Sequence, residues 1–450
     1  MNKAGEHTYI VRDVVHYDIP FNEKFFRIIN AAEFQRLNRI KQLSCEYVVF
    51  PTATHTRFAH SIGTYYVMRK LLERLEKELQ KIGLEVTQEE RDLALCSALL
   101  HDIGHGSLSH TFERVFGQGS HEEWTVRILE SEETEIHKVL VEEFSQDFLN
   151  QLVGIISKKG AMQQNLIFSL ISQLVSSQID ADRMDYLLRD SYFTSVTNGN
   201  YDLERLIRAI EIDERDGTYT ICVNEKFISS IEEYIMGRFY MHREVYQHAL
   251  KRQMEGILSR IVQRAGILYH SGEEIYCDRA LSKLLSGEEL SLKEYIKMDD
   301  STLMYHISKW QEADDEILSE LSTSFLYRKK FYKNKLRASI EEEGFVKDSI
   351  NRALEEHGHP RIEDFSKEYF YLEDRINIKI YDREKDNIWV KQKNGSLEDV
   401  SIASFLFNRM NTDVQYTRYL EFIHFGLFEK KYGFDLREEL ERCSGEKIAR

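Results

Sequence analysis

The sequence predicts a mostly α fold with small β-hairpins and a smaller α+β C-terminal part. Three observations lead there. Only three of the 450 residues are proline (Pro20, Pro51 and Pro360), so little interrupts helices. Charged residues make up 30% of the chain, and from 21 to 270 they interleave with apolar residues at helical spacing. Alternating β-branched or aromatic and polar residues mark two short hairpins.

In chain order, Phe25, Ile28, Ile29, Ala32, Leu37, Ile40 and Leu43 share a helical period within 21–44, and Pro51 then resists continuation. A helix is expected from Thr56 through "RFAHSIGTYYVMRKLLERLEKEL". Another spans "TQEERDLALCSALLHD", with Thr87 as N-cap and Glu90 completing a capping box, and Gly104 and Gly106 mark its end. Further helices are expected at 121–131, 135–158, 163–190 and 225–270. One hairpin joins "RLIRAIEI" to "TYTICV", and a second joins "INIKIY" to "IWVKQK". The "HGHP" break near 360 suggests a catalytic region over 1–360, with its core motifs between 40 and 250, and a C-terminal region over 361–450 serving as interface or regulator.

A formal net charge of -16 argues against general attraction to nucleic acid, so an anionic substrate needs a locally basic pocket. Five scattered cysteines show no metal or disulfide spacing. The opening "MNKAGEHTYIVRD" has no apolar core of a signal peptide, and no apolar run reaches membrane-spanning length. A cytoplasmic protein without membrane contact is the expectation.

The stretch "ALLHDIGHGSLSH" concentrates the chemistry. His101 and Asp102 are about 100° apart on an ideal helix, but at a helix end both can turn toward one point. Imidazole and carboxylate together suit a divalent transition metal. More ligands are available from His60, one turn after Arg57, and from the acidic helix "IDADRMDYLLRD", whose like charges need a cation or partner to offset them. Alone, each has an ordinary structural explanation; together and in this order they point to a metal site.

The segments "EFQRLNRIKQL", "VVFPTATHTRFAHSIG", "LLHDIGHGSLSH", "SHEEW", "IDADRMDYLLRD" and "REVYQH" resemble the HD-domain deoxynucleoside triphosphate triphosphohydrolases, over residues 10 to 260. The resemblance implies an HD-domain helical core in which His60, His101, Asp102 and Asp182 hold a catalytic divalent metal (Mn, Fe, Zn, Co or Ni), with Mg accompanying the nucleotide phosphates. It implies catalytic roles for His105, His110, His121 and Glu122, the last as the carboxylate partner of His121. It places Arg57, Arg183 and Arg238 on the triphosphate, Tyr186 beside the sugar, Asp190 and Gln42 at the 3′-hydroxyl, and Leu43, Tyr246 and Gln247 at the sugar and base.

The resemblance further implies a homotetramer activated by dNTP or GTP at Ile10, Gln35, Val49, Phe50, Arg205, Lys226, His248 and Arg328. Arg12, Asn30 and Asn38 depart from the human relative's activator pattern. Other readings are another HD phosphohydrolase, such as a nucleotidase, a cyclic-nucleotide phosphodiesterase or a guanosine-tetraphosphate hydrolase, or a nucleotide sensor or nucleic-acid binder using the basic segment "LYRKKFYKNKLR".

Overall fold

The computed structural model describes residues 7–158, 166–215, 217–329, 331–333, 344–382, 387–410 and 415–444. They are mostly helical. The chain divides into two compact units: 1–245, 290–301 and 379–414 form the first, and 246–289, 302–378 and 415–450 the second. The boundary expected at 360 falls inside the second unit. Pro360 interrupts only the loop after the helix Phe345–Glu356.

The first unit opens with a hairpin that the apolar pattern did not signal, β1 (Tyr9–Asp13) paired antiparallel with β2 (Tyr17–Phe21). The 21–44 segment is broken. Asn22 caps the helix Glu23–Asn30 through Phe25 N, Ala31 turns extended at ψ 144°, and only a short helical turn and a 3-10 turn follow. The long helix Arg57–Lys81 starts where expected, with Thr56 as its cap, and the helix Gln88–Leu100 carries the expected Thr87–Glu90 capping box. The helix Ala181–Thr194 also packs on Arg57–Lys81. Leu71, Leu72, Leu75, Leu93, Leu99 and Leu187 are fully buried, and each such burial is worth about 1.5–3 kcal/mol.

Capping residues divide the longer expected helices. Within 135–158, Phe144 leaves helical geometry and Ser145 caps a new helix, Gln146–Ile156. Within 163–190, of which 163–165 lie outside the described residues, Asp180 caps Ala181–Thr194. Within 225–270, Ile228–Met241 and Ala249–His270 are separated by a π-helical turn and capped anew by His248.

β3 (Ile210–Arg215) and β4 (Thr218–Asn224) form the first expected hairpin, although Asp202 caps a helix, Leu203–Ala209, over most of "RLIRAIEI". The second expected hairpin is not formed. β5 (Tyr332–Lys333), β9 (Gln415–Ile423) and β6 (Tyr371–Lys379) make one sheet in that order, whereas β7 (Trp389–Lys391) runs parallel to β4 and antiparallel to β8 (Leu397–Asp399). Alternation identified the strands but carries no record of their partners.

In the second unit, Ala249–His270 packs along Glu316–Leu326, and Arg264 reaches Asp315 at 2.5 Å. Of the basic segment 326–337, Lys330 and residues 334–337 lie outside the described residues. No described helix is long and apolar enough to cross a membrane.

Gly63 sets how closely the two central helices approach. A Cβ there would lie 1.9 Å from Asp185 Oδ1 and 2.3 Å from Arg189 Nη2. In an isolated helix alanine is favoured over glycine by about 0.5–1 kcal/mol. Here Gly63→Ala is expected to destabilise by about 1–3 kcal/mol through overpacking, seen as a lower Tm; an unchanged or raised Tm would refute this packing argument.

Candidate active site

Thr56 fixes the first turn of Arg57–Lys81, so Arg57 and His60 project from one face into the interior. His60 is fully buried. Its Nδ1 lies 2.8 Å from Asp185 Oδ2, which assigns the ring proton to Nδ1 and leaves Nε2 toward Asp182 Oδ1 at 2.9 Å and Asp102 Oδ2 at 3.7 Å. His101 ends the helix Gln88–Leu100, where Nδ1 gives its proton to Ala98 O at 2.8 Å. Its Nε2 stands 3.4 Å from Asp102 Oδ1 and 3.5 Å from Asp182 Oδ1. The helix end thus turns His101 and Asp102 toward a common point.

These residues fit a divalent cation. His60, His101 and Asp102 offer donor atoms within 4.8 Å of one another. Nε2 of both histidines is buried without a hydrogen bond of acceptable geometry, despite the nearby Asp182 oxygen. Arg57 pairs with Asp102 and Arg189 with Asp13 and Asp185, while Asp182 faces His60, so the four carboxylates outnumber these two guanidiniums and leave negative charge beside the imidazoles for a cation to offset. Burial disfavours a proton on His60, but Asp182 and Asp185 override it and push the imidazole up to about 10. Positive charge is wanted there, and two imidazoles with two carboxylates suit a transition metal.

Asp102 connects this centre to a histidine cluster. Arg57 Nη1 and His105 Nε2, the latter at 3.3 Å, face its carboxylate. His105 is buried and stacks on His121 at 3.9 Å. Gly104 makes that stacking possible. A Cβ there would lie 2.2 Å from His121 O, so the glycine serves close approach rather than a loosened loop. Glu113 gathers the rings, with Oε1 2.9 Å from His121 Nδ1 and 3.7 Å from His105 Nδ1, and Oε2 3.5 Å from His110 Nδ1. His121 therefore takes Glu113 as its nearer carboxylate, not the expected Glu122, which is half-exposed and 3.5 Å from Nε2. His105, His110, Glu113 and His121 form a second group with metal-compatible donor spacing.

Comparison with known proteins accords with this geometry. Residues 57–190 match the HD domain, a span that begins at Arg57 and ends at Asp190, and residues 201–357 match the HD associated region. The uncharacterized protein YwfO of Bacillus subtilis is 37% identical over 324 residues, 72% of this chain and 71% of that protein. The chain belongs to the HD-domain phosphohydrolase family. A crystal structure of a phosphohydrolase from Bacteroides thetaiotaomicron superposes with a TM-score of 0.76 at 28% identity, covering 93% of this chain and all of that one. Human deoxynucleoside triphosphate triphosphohydrolase SAMHD1 is 30% identical over 269 residues, 53% of this chain and 42% of the human protein. The chain thus aligns with about half the length of the curated triphosphohydrolases.

Around the HD domain, other expected residues come together in pairs. Arg183 Nη1 reaches Ser177 O and Asp180, while Arg238 Nη1 reaches Gln178, so both guanidiniums meet one loop. The Tyr186 ring lies 6.4 Å from that of His60. Gln42 and Asp190 are joined through His55, whose carbonyl accepts from Gln42 N at 3.0 Å and whose Nε2 contacts Asp190 at 2.8 Å. Gln42 Oε1 is buried without a hydrogen-bond partner, and Leu43 beside it is buried. Tyr246 and Gln247 begin the second unit.

Of the expected activator contacts, Ile10 is exposed on β1, Gln35 holds Ile29 O, and Val49 and Phe50 are half-buried. Arg205 lies over the ring of Phe227, next to exposed Lys226. His248 and Arg328 belong to the second unit.

Sequence reasoning missed several supports of this HD site. Asp185 and Arg189 were legible as an i,i+4 pair, but their link to His60 was not. Asp300 had no local signal. It accepts from Leu108 N at 2.8 Å and Lys41 N at 2.9 Å, beside Leu108 and Ser109, both at φ 54° in the left-handed region. Tyr295, stacked on Trp124, donates to Gly104 O at 2.6 Å.

Burial opposes the charge of Glu113, but hydrogen bonds from His110 and His121 hold its carboxyl well below the usual range. A depressed folded-state pKa contributes stability above the unfolded value, about 4.3, and loses it as pH falls toward the folded one. Glu113→Gln should therefore have a lower Tm than the parent at pH 7, with the gap narrowing below about pH 4. A gap independent of pH would contradict this role.

Proposed function

We propose that this protein hydrolyses deoxynucleoside triphosphates to the deoxynucleoside and inorganic triphosphate, with His60, His101, Asp102 and Asp182 holding a divalent transition metal and Mg accompanying the substrate phosphates. The observation that carries this reading is the meeting of Arg183 and Arg238 at the 177–180 loop, next to Asp182 and Tyr186. Two guanidiniums beside a metal centre suit a polyphosphate and exceed what a phosphomonoester needs. The relationship to SAMHD1 adds support, as does Tyr186, an aromatic ring 6.4 Å from that of His60 that in this reading lies beside the sugar.

When bound, the metal lowers the pKa of a coordinated water and polarises phosphorus. The chain's own groups do the rest. Asp185 and Ala98 fix the tautomers of His60 and His101. Arg57 and His105 keep Asp102 in place. Water oxygen joins the α-phosphorus, the bond to O5′ breaks, and O5′ needs a proton. In this reading His110 gives it, a role supported by its 67% exposed side chain and by Glu113 facing its Nδ1, which leaves Nε2 for the substrate. His121, held by Glu113 and stacked on His105, is better placed to steady charge. The same reading includes a homotetramer with nucleotide activation through the contacts named above.

Incubating the metal-loaded protein with each dNTP, alone and with each other nucleotide at low concentration, tests this directly. Inorganic triphosphate and deoxynucleoside in equal amounts are expected. Monophosphate or pyrophosphate would move the protein to another HD phosphohydrolase class. His110→Ala should lower kcat by about 10²–10⁴-fold, the usual contribution of a general acid, while keeping the parent's metal content; near-parental turnover would remove His110 from the role.

A further inference from the structure

The hydrogen bonds on Asp185 do not stop at His60. Oδ2 accepts from His60 Nδ1 at 2.8 Å and Arg189 Nε at 2.9 Å. Oδ1 accepts from His16 Nε2 at 2.7 Å and Arg189 Nη2 at 2.9 Å. A carboxylate offers about four lone-pair positions, so this one is saturated and cannot rotate without losing a partner. Arg189 is held from its far side by Asp13, with Nη1 to Oδ2 at 2.7 Å and Nη2 to Oδ1 at 3.3 Å. Asp13 Oδ1 also accepts the backbone N–H groups of Val15 and His16, at 2.9 Å and 2.8 Å. Asp13, His16, Asp185 and Arg189 are all buried.

Two of these four residues come from the β1–β2 turn, His16 being 169 positions from Asp185 in the chain. The turn is formed under strain. Tyr17 has φ 62°, in the left-handed region, while its own side chain is exposed. A tyrosine keeps that conformation only where surrounding contacts over-determine the backbone. What the turn sends inward is His16, whose ring also stacks on Tyr66 of the His60 helix at 4.8 Å. Burying two carboxylates with one guanidinium is a costly way to fasten a hairpin, since apolar packing would do it better. It is an effective way to immobilise a carboxylate that must aim a metal-binding imidazole.

We propose that the β1–β2 turn is a positioning element of the metal centre, with Asp13 and His16 acting through Arg189 and Asp185 to orient His60 for the cation. This rests on the assignment of His60, His101, Asp102 and Asp182 as ligands. The hairpin thereby becomes part of the HD site, and any change in the turn is felt as a change in metal affinity.

Titration of the metal-free full chain with Mn(II), followed calorimetrically, tests the proposal on binding rather than turnover. Asp13→Asn and His16→Gln should each bind Mn(II) roughly ten-fold more weakly, at the lower end of outer-shell effects. Arg189→Lys, which keeps the charge but loses the fork, should fall between them and the parent. Asp315→Asn, which breaks the Arg264 pair in the second unit, should lower Tm and leave Mn(II) affinity unchanged, which separates positioning from general loss of stability. Parental affinity in both Asp13→Asn and His16→Gln overturns the proposal; if Asp13→Asn does not fold, His16→Gln decides alone. Asp102→Ala should lose the site. Mn(II) binding at parental strength in that variant would instead overturn the ligand assignment and the proposal with it.

Discussion

One imidazole carries the geometry of this site. In the proposed metal centre His60 presents a bare Nε2 to a cation from inside a packed helical interior, which requires a fixed acceptor for Nδ1 and balanced surrounding charge. Asp185 supplies the acceptor at 2.8 Å. Placing Asp102 and Asp182 near the same ring supplies the need for a cation. Each carboxylate would be costly alone in this environment. With Asp13, Arg57, Arg189 and a divalent ion they form a neutralised set.

The fold is arranged to tolerate that set. Gly63 lets Asp185 and Arg189 lie directly against the His60 helix, and Gly104 lets the His121 helix close over the loop that follows Asp102. The segment 290–301 then braces that loop, through Asp300 on Leu108 N and Tyr295 on Gly104 O. Leu108 and Ser109, with positive φ, are held where they deliver His110 beside Glu113. Asp102 and His105, with Nε2 3.3 Å from the carboxylate, link the proposed metal centre to the histidine cluster.

Much of this was legible in the sequence, for reasons that can be named. Thr87 caps its helix as its side chain suggests and the helix expected from Thr56 starts there, whereas the Asp180 cap, hidden inside an apolar-periodic stretch, was not apparent; these three helices or their ends carry all four expected metal ligands. Glu122 was misleading because adjacency in sequence resembles adjacency in space, yet at a helix start the side chain three-dimensionally nearest to His121 came from another helix, as Glu113. The hairpin at 9–21 and the bracing by Asp300 left no local trace, since both depend on partners far along the chain. The unformed second hairpin has the same cause. β6 and β7 alternate as strands should, but strand pairing is decided by which edge is available.

The central claim is that the cation sits among His60, His101, Asp102 and Asp182. Crystals of the protein loaded with one equivalent of Mn(II) or Zn(II), measured at the metal absorption edge, test it most directly. The account predicts a single anomalous peak bonded to Nε2 of both His60 and His101 and to oxygens of Asp102 and Asp182, at about 2.0–2.2 Å for Zn(II). A peak held instead by His105, His110, Glu113 and His121 would contradict it.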